Sequence, residues 1–248
     1  MSVHVEHVMG MAVSIDLRRD IDEEPLIEVI VDWLHWVDAT FSTYKPDSAI
    51  SRLARGELDL DLAPPEVLDV LDRCEQLRLV TEGYFDARAC GRLDPSGFVK
   101  GWAVDAASEI LLRAGAADHC VNAGGDVRMR GEPEPGRLWQ VGIAHPLVRD
   151  AFCAVLSVGD GAVATSGTAE RGAHVFDPHT GRAALDQASV TVLGPDLATA
   201  DAYATGALAR GLSAPGWLSG LDGYEALVVD AGGHIWRTAG LASVLSAV

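Results

Sequence analysis

Positive charge is scarce in this 248-residue chain. Lys and Arg number 19 against 36 Asp and Glu, a formal net charge of −17. So acidic a chain is a poor general binder of nucleic acid or anionic membrane, and neither is expected as a partner. Long apolar runs are also missing. No stretch approaches the roughly 20 residues of a membrane span. The N-terminal MSVHVEHVMGMAVSIDL alternates where a secretory leader would run apolar behind basic residues. A cytoplasmic setting is the expectation. Cys74, Cys90, Cys120 and Cys153 lie far apart without a C-x-x-C pair. That disfavours a disulfide framework or a zinc site and leaves four reduced thiols. The Rossmann G-x-G-x-x-G and the hydrolase G-x-S-x-G are both absent.

What is present is ample apolar material, 48 % of residues, which excludes a disordered chain. The length supports one large domain or two interwoven subdomains. Alternation predicts strands over 3–8 and 12–17, pinched at Gly10. Leu26, Ile30, Trp33 and Val37 recur at helical spacing within 23–39. A second helix is expected over 64–80 behind Pro64 and Pro65, a third over 100–114, and a fourth over 196–210. Strands are expected near 118–122, 126–130, 138–144, 152–158, 188–193, 225–230 and 234–237. Many strands are sequence neighbours and strict β-α-β alternation is absent. The pattern therefore predicts an α+β fold with mixed, largely antiparallel sheets and packed helices.

Four segments carry chemistry. In GFVKGWAVDAASEIL (97–111), two glycines flank Lys100 where a helix should begin, an arrangement able to hold phosphate oxygens. Asp105 and Ser108 sit three apart on one face of that helix. In VNAGGDVRMRG (121–131), Gly124-Gly125 is a tight turn or a close approach to a ligand. VATSGTAERGAHVFDPHTGRA (163–183) concentrates Thr165, Ser166, Arg171, His174, Asp177 and Thr180. There, Ser166-Gly167 offers a hydroxyl and an unhindered amide. In DLATADAYATGALARG (196–211), Asp201 and Thr205 are four apart on a helix, a hard-oxygen pair suited to Mg²⁺. Taken singly, each segment also reads as an ordinary turn, a core histidine or an exposed helix face.

Together and in order, these segments resemble the ApbE family, the FAD:protein FMN transferases. Met9-Gly10, Phe41-Ser42-Thr43-Tyr44, Ser48-Ala49-Ile50-Ser51-Arg52-Leu53 and Gly83-Tyr84-Phe85-Asp86 open the resemblance. Lys100-Gly101-x-x-x-Asp105, Asn122-x-Gly124-Gly125-Asp126, Thr165-Ser166-Gly167, His174-x-x-Asp177-Pro178-x-Thr180-Gly181 and Ala200-Asp201-Ala202-x-x-Thr205 complete it. Position 11 is Met where the family has Thr, and the connection from Asp86 to Gly97 is short.

The resemblance implies one flavin transferase domain over 1–248 that binds FAD as substrate and Mg²⁺. It would move FMN onto a Ser or Thr of a target protein and release AMP. The alternatives are an FAD pyrophosphatase giving FMN and AMP, or a non-catalytic FAD-binding protein. By position, Met9, Tyr44, Tyr84, Phe85, Asp86 and Asp105 would fall in the FAD site, Asp105 near the adenine. Asp201 and Thr205 would hold Mg²⁺ by side chain and Ser108 by its carbonyl. His174 would lie beside the pyrophosphate and take the proton of the incoming hydroxyl. Lys100 and the Gly124-Gly125 amides could hold phosphate oxygens. An acceptor resembling Asp-x-x-(Ser/Thr)-Gly-Ala-(Ser/Thr) would mark the target.

Overall fold

The structure is a computed structural model that describes residues 2–18, 23–168, 172 and 175–246. Its centre is an eight-stranded sheet. The strands are β1 (Ser2–Val8), β2 (Met11–Leu17), β3 (His119–Ala123), β4 (Asp126–Arg130), β7 (Gly161–Gly167), β8 (Gln187–Gly194), β9 (Glu225–Asp230) and β10 (Ile235–Arg237). They lie in that spatial order, every neighbour pair antiparallel. The α+β expectation therefore holds. β5 (Trp139–Ala144) and β6 (Phe152–Val158) leave the sheet and pair with each other as a separate ribbon.

Period-two alternation sends the two faces of the sheet into different cores. Val13, Ile15, Leu17, Val121, Ala162, Ala164, Val190 and Val192 face the helices. Val127, Met129, Val163, Leu227 and Val229 face the ribbon, where Trp139, Ile143 and Leu156 cover them. The result is three layers: helices, sheet and ribbon. Each large buried side chain contributes about 1.5–3 kcal/mol relative to exposure.

The helices are α1 (Glu23–Phe41), α2 (Ala49–Ala54), α3 (Pro65–Val80), α4 (Ser96–Arg113), α5 (Leu197–Arg210) and α6 (Ala214–Leu218). α1 buries Ile30, Leu34, Val37 and Phe41; of the expected stripe Ile30 and Val37 are buried, while Leu26 and Trp33 are half-buried against the core. α2 starts at Ser48, whose hydroxyl accepts the Ser51 N–H at 3.1 Å. α4 begins four residues before its expected start, so Lys100 lies on the helix and not ahead of it.

Two carboxylates hold the first turn of α5. Asp196 is its N-cap and accepts the Thr199 N–H at 2.8 Å. Asp105 on α4 accepts the N–H groups of Leu197 and Ala198, each at 2.9 Å. Negative charge at a helix N-terminus offsets the positive end of its dipole. α4 and α5 then run antiparallel in close contact. A Cβ at Gly101 would lie 2.6 Å from the Leu197 carbonyl oxygen. Alanine-rich α5 and glycine-bearing α4 thus approach at backbone distance.

Candidate active site

One end of the sheet opens into a cavity of about 1280 Å³. That exceeds the ~300–1,000 Å³ usual for a drug-sized ligand. Its rim carries two turns of one kind. Val8 pairs with Met11 across the two-residue turn Met9-Gly10, with φ of 54° and 72°. Ala123 pairs with Asp126 across Gly124-Gly125, with φ of 59° and 99°. Two residues at positive φ give the turn twist that a right-handed hairpin needs. Glycine accepts this freely, whereas Met9 holds it under strain, a feature found at ligand sites.

The turns lie side by side, and this decides what their amides can do. The Gly124 N–H donates to the Ala12 carbonyl at 3.2 Å. The Gly125 N–H donates to Asn122 Oδ1 at 2.9 Å. Both amides expected to hold phosphate are engaged within the protein. The glycines shape the rim instead.

On the helical side, α5 presents Asp201 and Thr205 to the cavity, and β7 presents Ser166. Thr205 Oγ1 and Ser166 Oγ are 3.0 Å apart. Asp201 is 2 % exposed, and its Oδ2 lies 3.4 Å from Lys100 Nζ. The same ammonium contacts Asp126 Oδ2. Asp126 is equally buried, and its Oδ1 accepts the Thr165 N–H at 2.8 Å. Lys100 is thus ion-paired between two carboxylates, a role its expected place before a helix would not have given it. Gly167 serves packing, since a Cβ there would come within 2.9 Å of the Ala188 carbonyl oxygen.

Aromatic groups line the other walls. Tyr44 stands 96 % exposed at the mouth. The Tyr84 ring has Arg210 over it at 4.4 Å and His179 edge-on at 4.6 Å. Phe85 is buried below Gly97 and Gly206, a floor more than a contact surface. Asp86 lines the cavity and accepts the Arg88 N–H at 2.7 Å. Asp177 closes the turn 177–181 by accepting the His179 N–H and the Thr180 hydroxyl. His174 and Arg171 lie outside the described residues, although the next residue, Val175, lines the cavity.

Two expected residues are not in the cavity. Asp105 anchors α5 as described and lies 3.3 Å from Arg128. Burial pushes its carboxyl up to about 6, against the pull of the two N–H bonds and Arg128. Ser108 is fully buried and its hydroxyl meets His119 Nε2 at 2.7 Å. Burial holds the His119 ring below its ordinary range. Ser108 also lies three helical turns beyond Gly97, about 16 Å along the axis, too far to share an ion with Thr205.

The start of α4 supplies what those positions do not. Asp94, Ser96 and Gly97 line the cavity, and a Cβ at Gly97 would be 3.6 Å from Thr205 Oγ1. Asp94 and Gly97 are three apart, as Asp105 and Ser108 are. A glycine that brings main chain to a site carries no side-chain signal. Asp126, quoted within a motif but given no role, is the other residue that sequence reasoning passed over.

Comparison with known proteins agrees with this fold. The sequence pattern of the ApbE family matches residues 9–91 and 87–228. The chain belongs to the ApbE family. It is 28 % identical over 261 residues to a Vibrio cholerae protein named FAD:protein FMN transferase, covering 82 % of this chain and 75 % of that one. A Haemophilus influenzae protein of the same name is 34 % identical over 130 residues, 48 % of this chain and 38 % of its own. In fold the chain matches the ApbE protein of Thermotoga maritima, with a TM-score of 0.86 at 22 % identity over 99 % of both chains. It also matches the flavin transferase ApbE of Vibrio cholerae, with a TM-score of 0.86 at 22 % identity over 98 % and 99 %.

The oxygen set of this ApbE-family cavity fits Mg²⁺. Carboxylates at Asp126 and Asp201 and hydroxyls at Ser166 and Thr205 are hard donors. Lys100 shows that the carboxylate pair accepts a cation. Among the described residues no three His, Cys, Asp or Glu converge as a metal cage. Among the described residues no helix is long and apolar enough to cross a membrane.

Proposed function

We propose that this ApbE-family protein is an Mg²⁺-dependent FAD:protein FMN transferase acting as one domain over residues 1–248. The observation that carries the reading is the convergence of Asp201, Thr205, Ser166 and Lys100 in one cavity large enough for a dinucleotide. The acceptor is a Ser or Thr hydroxyl of a target protein. Its oxygen attacks the FMN-side phosphorus, the bond to the bridging oxygen breaks, and AMP leaves with that oxygen. The hydroxyl proton passes to a base, for which His174 is the proposed residue.

Asp201 and Thr205 would hold Mg²⁺, with the main chain at Gly97 beside them. The ion, when bound, supplies positive charge to the pyrophosphate oxygens. Lys100 pairs with the Asp201 and Asp126 carboxylates and offsets one of their two negative charges. Tyr44 and Tyr84 offer ring faces or edges to the flat parts of FAD, with Met9 and Asp86 completing the walls. Free thiols at Cys74, Cys120 and Cys153 support a reducing, cytoplasmic setting; the Cys90 side chain lies outside the description.

Incubation with FAD, Mg²⁺ and a candidate acceptor tests the reading. Equal amounts of AMP and FMN-bearing protein are expected. Free FMN with AMP and no adduct would instead make the protein a pyrophosphatase.

A further inference from the structure

The ribbon beside the cavity has one closed edge and one open edge. β6 is covered on its outer side by the C-terminal segment: Leu156 bridges Leu245, and the Ser246 N–H donates to the Val155 carbonyl at 2.8 Å. β5 pairs with β6 from Trp139 opposite Val158 to Ala144 opposite Phe152. Among the described residues its main chain has no other backbone partner. An open strand edge is a row of hydrogen-bonding groups ready for another chain.

Proteins usually blunt such edges with Lys, Pro or inward charge. Trp139–Ala144 (WQVGIA) has none of these, and its pairing with β6 is regular up to the register shift between Ile143 and Ala144. Gln140, Gly142 and Ala144 form its exposed face, with the Phe152 ring lying over Gly142. The edge also leads into the reaction space. Val141–Ala144 and the following His145 and Pro146 line the same cavity as Asp201 and Thr205. Elsewhere the lining is charged, with Asp38 paired to Lys45 and with Asp86, Arg92 and Asp94. Val141–Ala144 carries no charged side chain, so its main chain is the uncharged stretch of the wall.

We infer that the open edge of β5 docks the acceptor polypeptide, which adds to it as an extended strand and leads its Ser or Thr hydroxyl into the cavity. This rests on the flavin-transfer reading. Main-chain pairing would supply affinity, and alternate side chains of the acceptor would supply specificity. The cavity's size agrees, since it must admit both a dinucleotide and a stretch of polypeptide.

The test uses the full chain with FAD, Mg²⁺ and a short synthetic peptide, Asp-Ala-Ala-Thr-Gly-Ala-Thr with flanking residues. Hydrogen exchange read by mass spectrometry should show new protection over 139–146 only when the peptide is present. Single backbone N-methylations walked along the peptide should lower kcat/KM for transfer about tenfold at alternate positions, because alternate N–H groups of a strand face its neighbour. AMP release without peptide reports the flavin chemistry separately. Transfer to the peptide without β5 protection, equal tolerance of every N-methylation, or concentration-dependent protection without peptide overturns the docking inference and leaves the flavin-transfer reading standing. FAD cleavage without transfer to the peptide is the pyrophosphatase outcome and overturns both. Absence of any FAD cleavage overturns both.

Discussion

Lys100 Nζ lies 3.4 Å from Asp201 Oδ2 while also contacting Asp126 Oδ2. Two carboxylates, each 2 % exposed, thus share one ammonium group in the cavity. Removing a partner from a buried ion pair is costly, because the remaining charge stays desolvated.

Lys100→Met should therefore destabilise the protein by about 3 kcal/mol. A divalent cation that enters the same carboxylate pair would restore part of that loss. Thermal unfolding with and without Mg²⁺ checks this. Mg²⁺ should raise the Tm of the variant more than that of the parent chain, and an equal rise would separate Lys100 from the ion's site.

Asp201→Ala should lower Mg²⁺-dependent AMP release by at least about 100-fold. Full retained activity would remove Asp201 from the site. His174→Ala should lower kcat more than it weakens FAD binding, as loss of a proton acceptor does. Steady-state kinetics beside FAD titration separates the two effects, and the reverse pattern would make His174 a binding residue.

Gly101→Ala tests the positioning of α5. The added methyl would meet the Leu197 carbonyl oxygen at 2.6 Å, and backbone cannot yield as a side-chain end can. A loss of about 1–3 kcal/mol is expected. Activity should fall with it, because Asp201 and Thr205 ride on α5. Urea unfolding and AMP release, measured on the same preparation, check both.

Asp105 makes stability depend on pH. Its carboxyl titrates at about 6 in the fold against 3.8 as its ordinary value. The folded protein therefore binds the proton more tightly than the unfolded chain does. The contribution is full below about pH 4 and is lost as pH rises through about 6. Asp105→Asn should flatten that slope in urea midpoints taken from pH 4 to 7. An unchanged slope would place its origin in another group.

Much of this was legible in the sequence because single residues carried the signal. The alternation on both sides of Met9-Gly10 marked the first hairpin, and the Asp201–Thr205 spacing marked the cavity face of α5. β7 was not legible as a strand. GAVATSG is short and small-sided, and its Thr165 and Ser166 read as loop chemistry. Asp105 and Ser108 had the right spacing on the wrong part of α4. Only packing shows that one caps α5 and the other faces His119. Gly97 and Gly101 flank Lys100 as a phosphate loop would, yet their cause is the close approach of two helices. The free edge of β5 was invisible for a like reason, since a missing partner is a property of topology.

The central claim is that the cavity moves FMN from FAD onto a protein hydroxyl. Intact-mass spectrometry of an acceptor protein or peptide, run beside chromatography of the released nucleotide, tests it most directly. With FAD and Mg²⁺, the expected result is an acceptor heavier by one FMN less one water and an equal amount of AMP, both lost in Asp201→Ala. FAD left intact, with no AMP and no adduct, would contradict it.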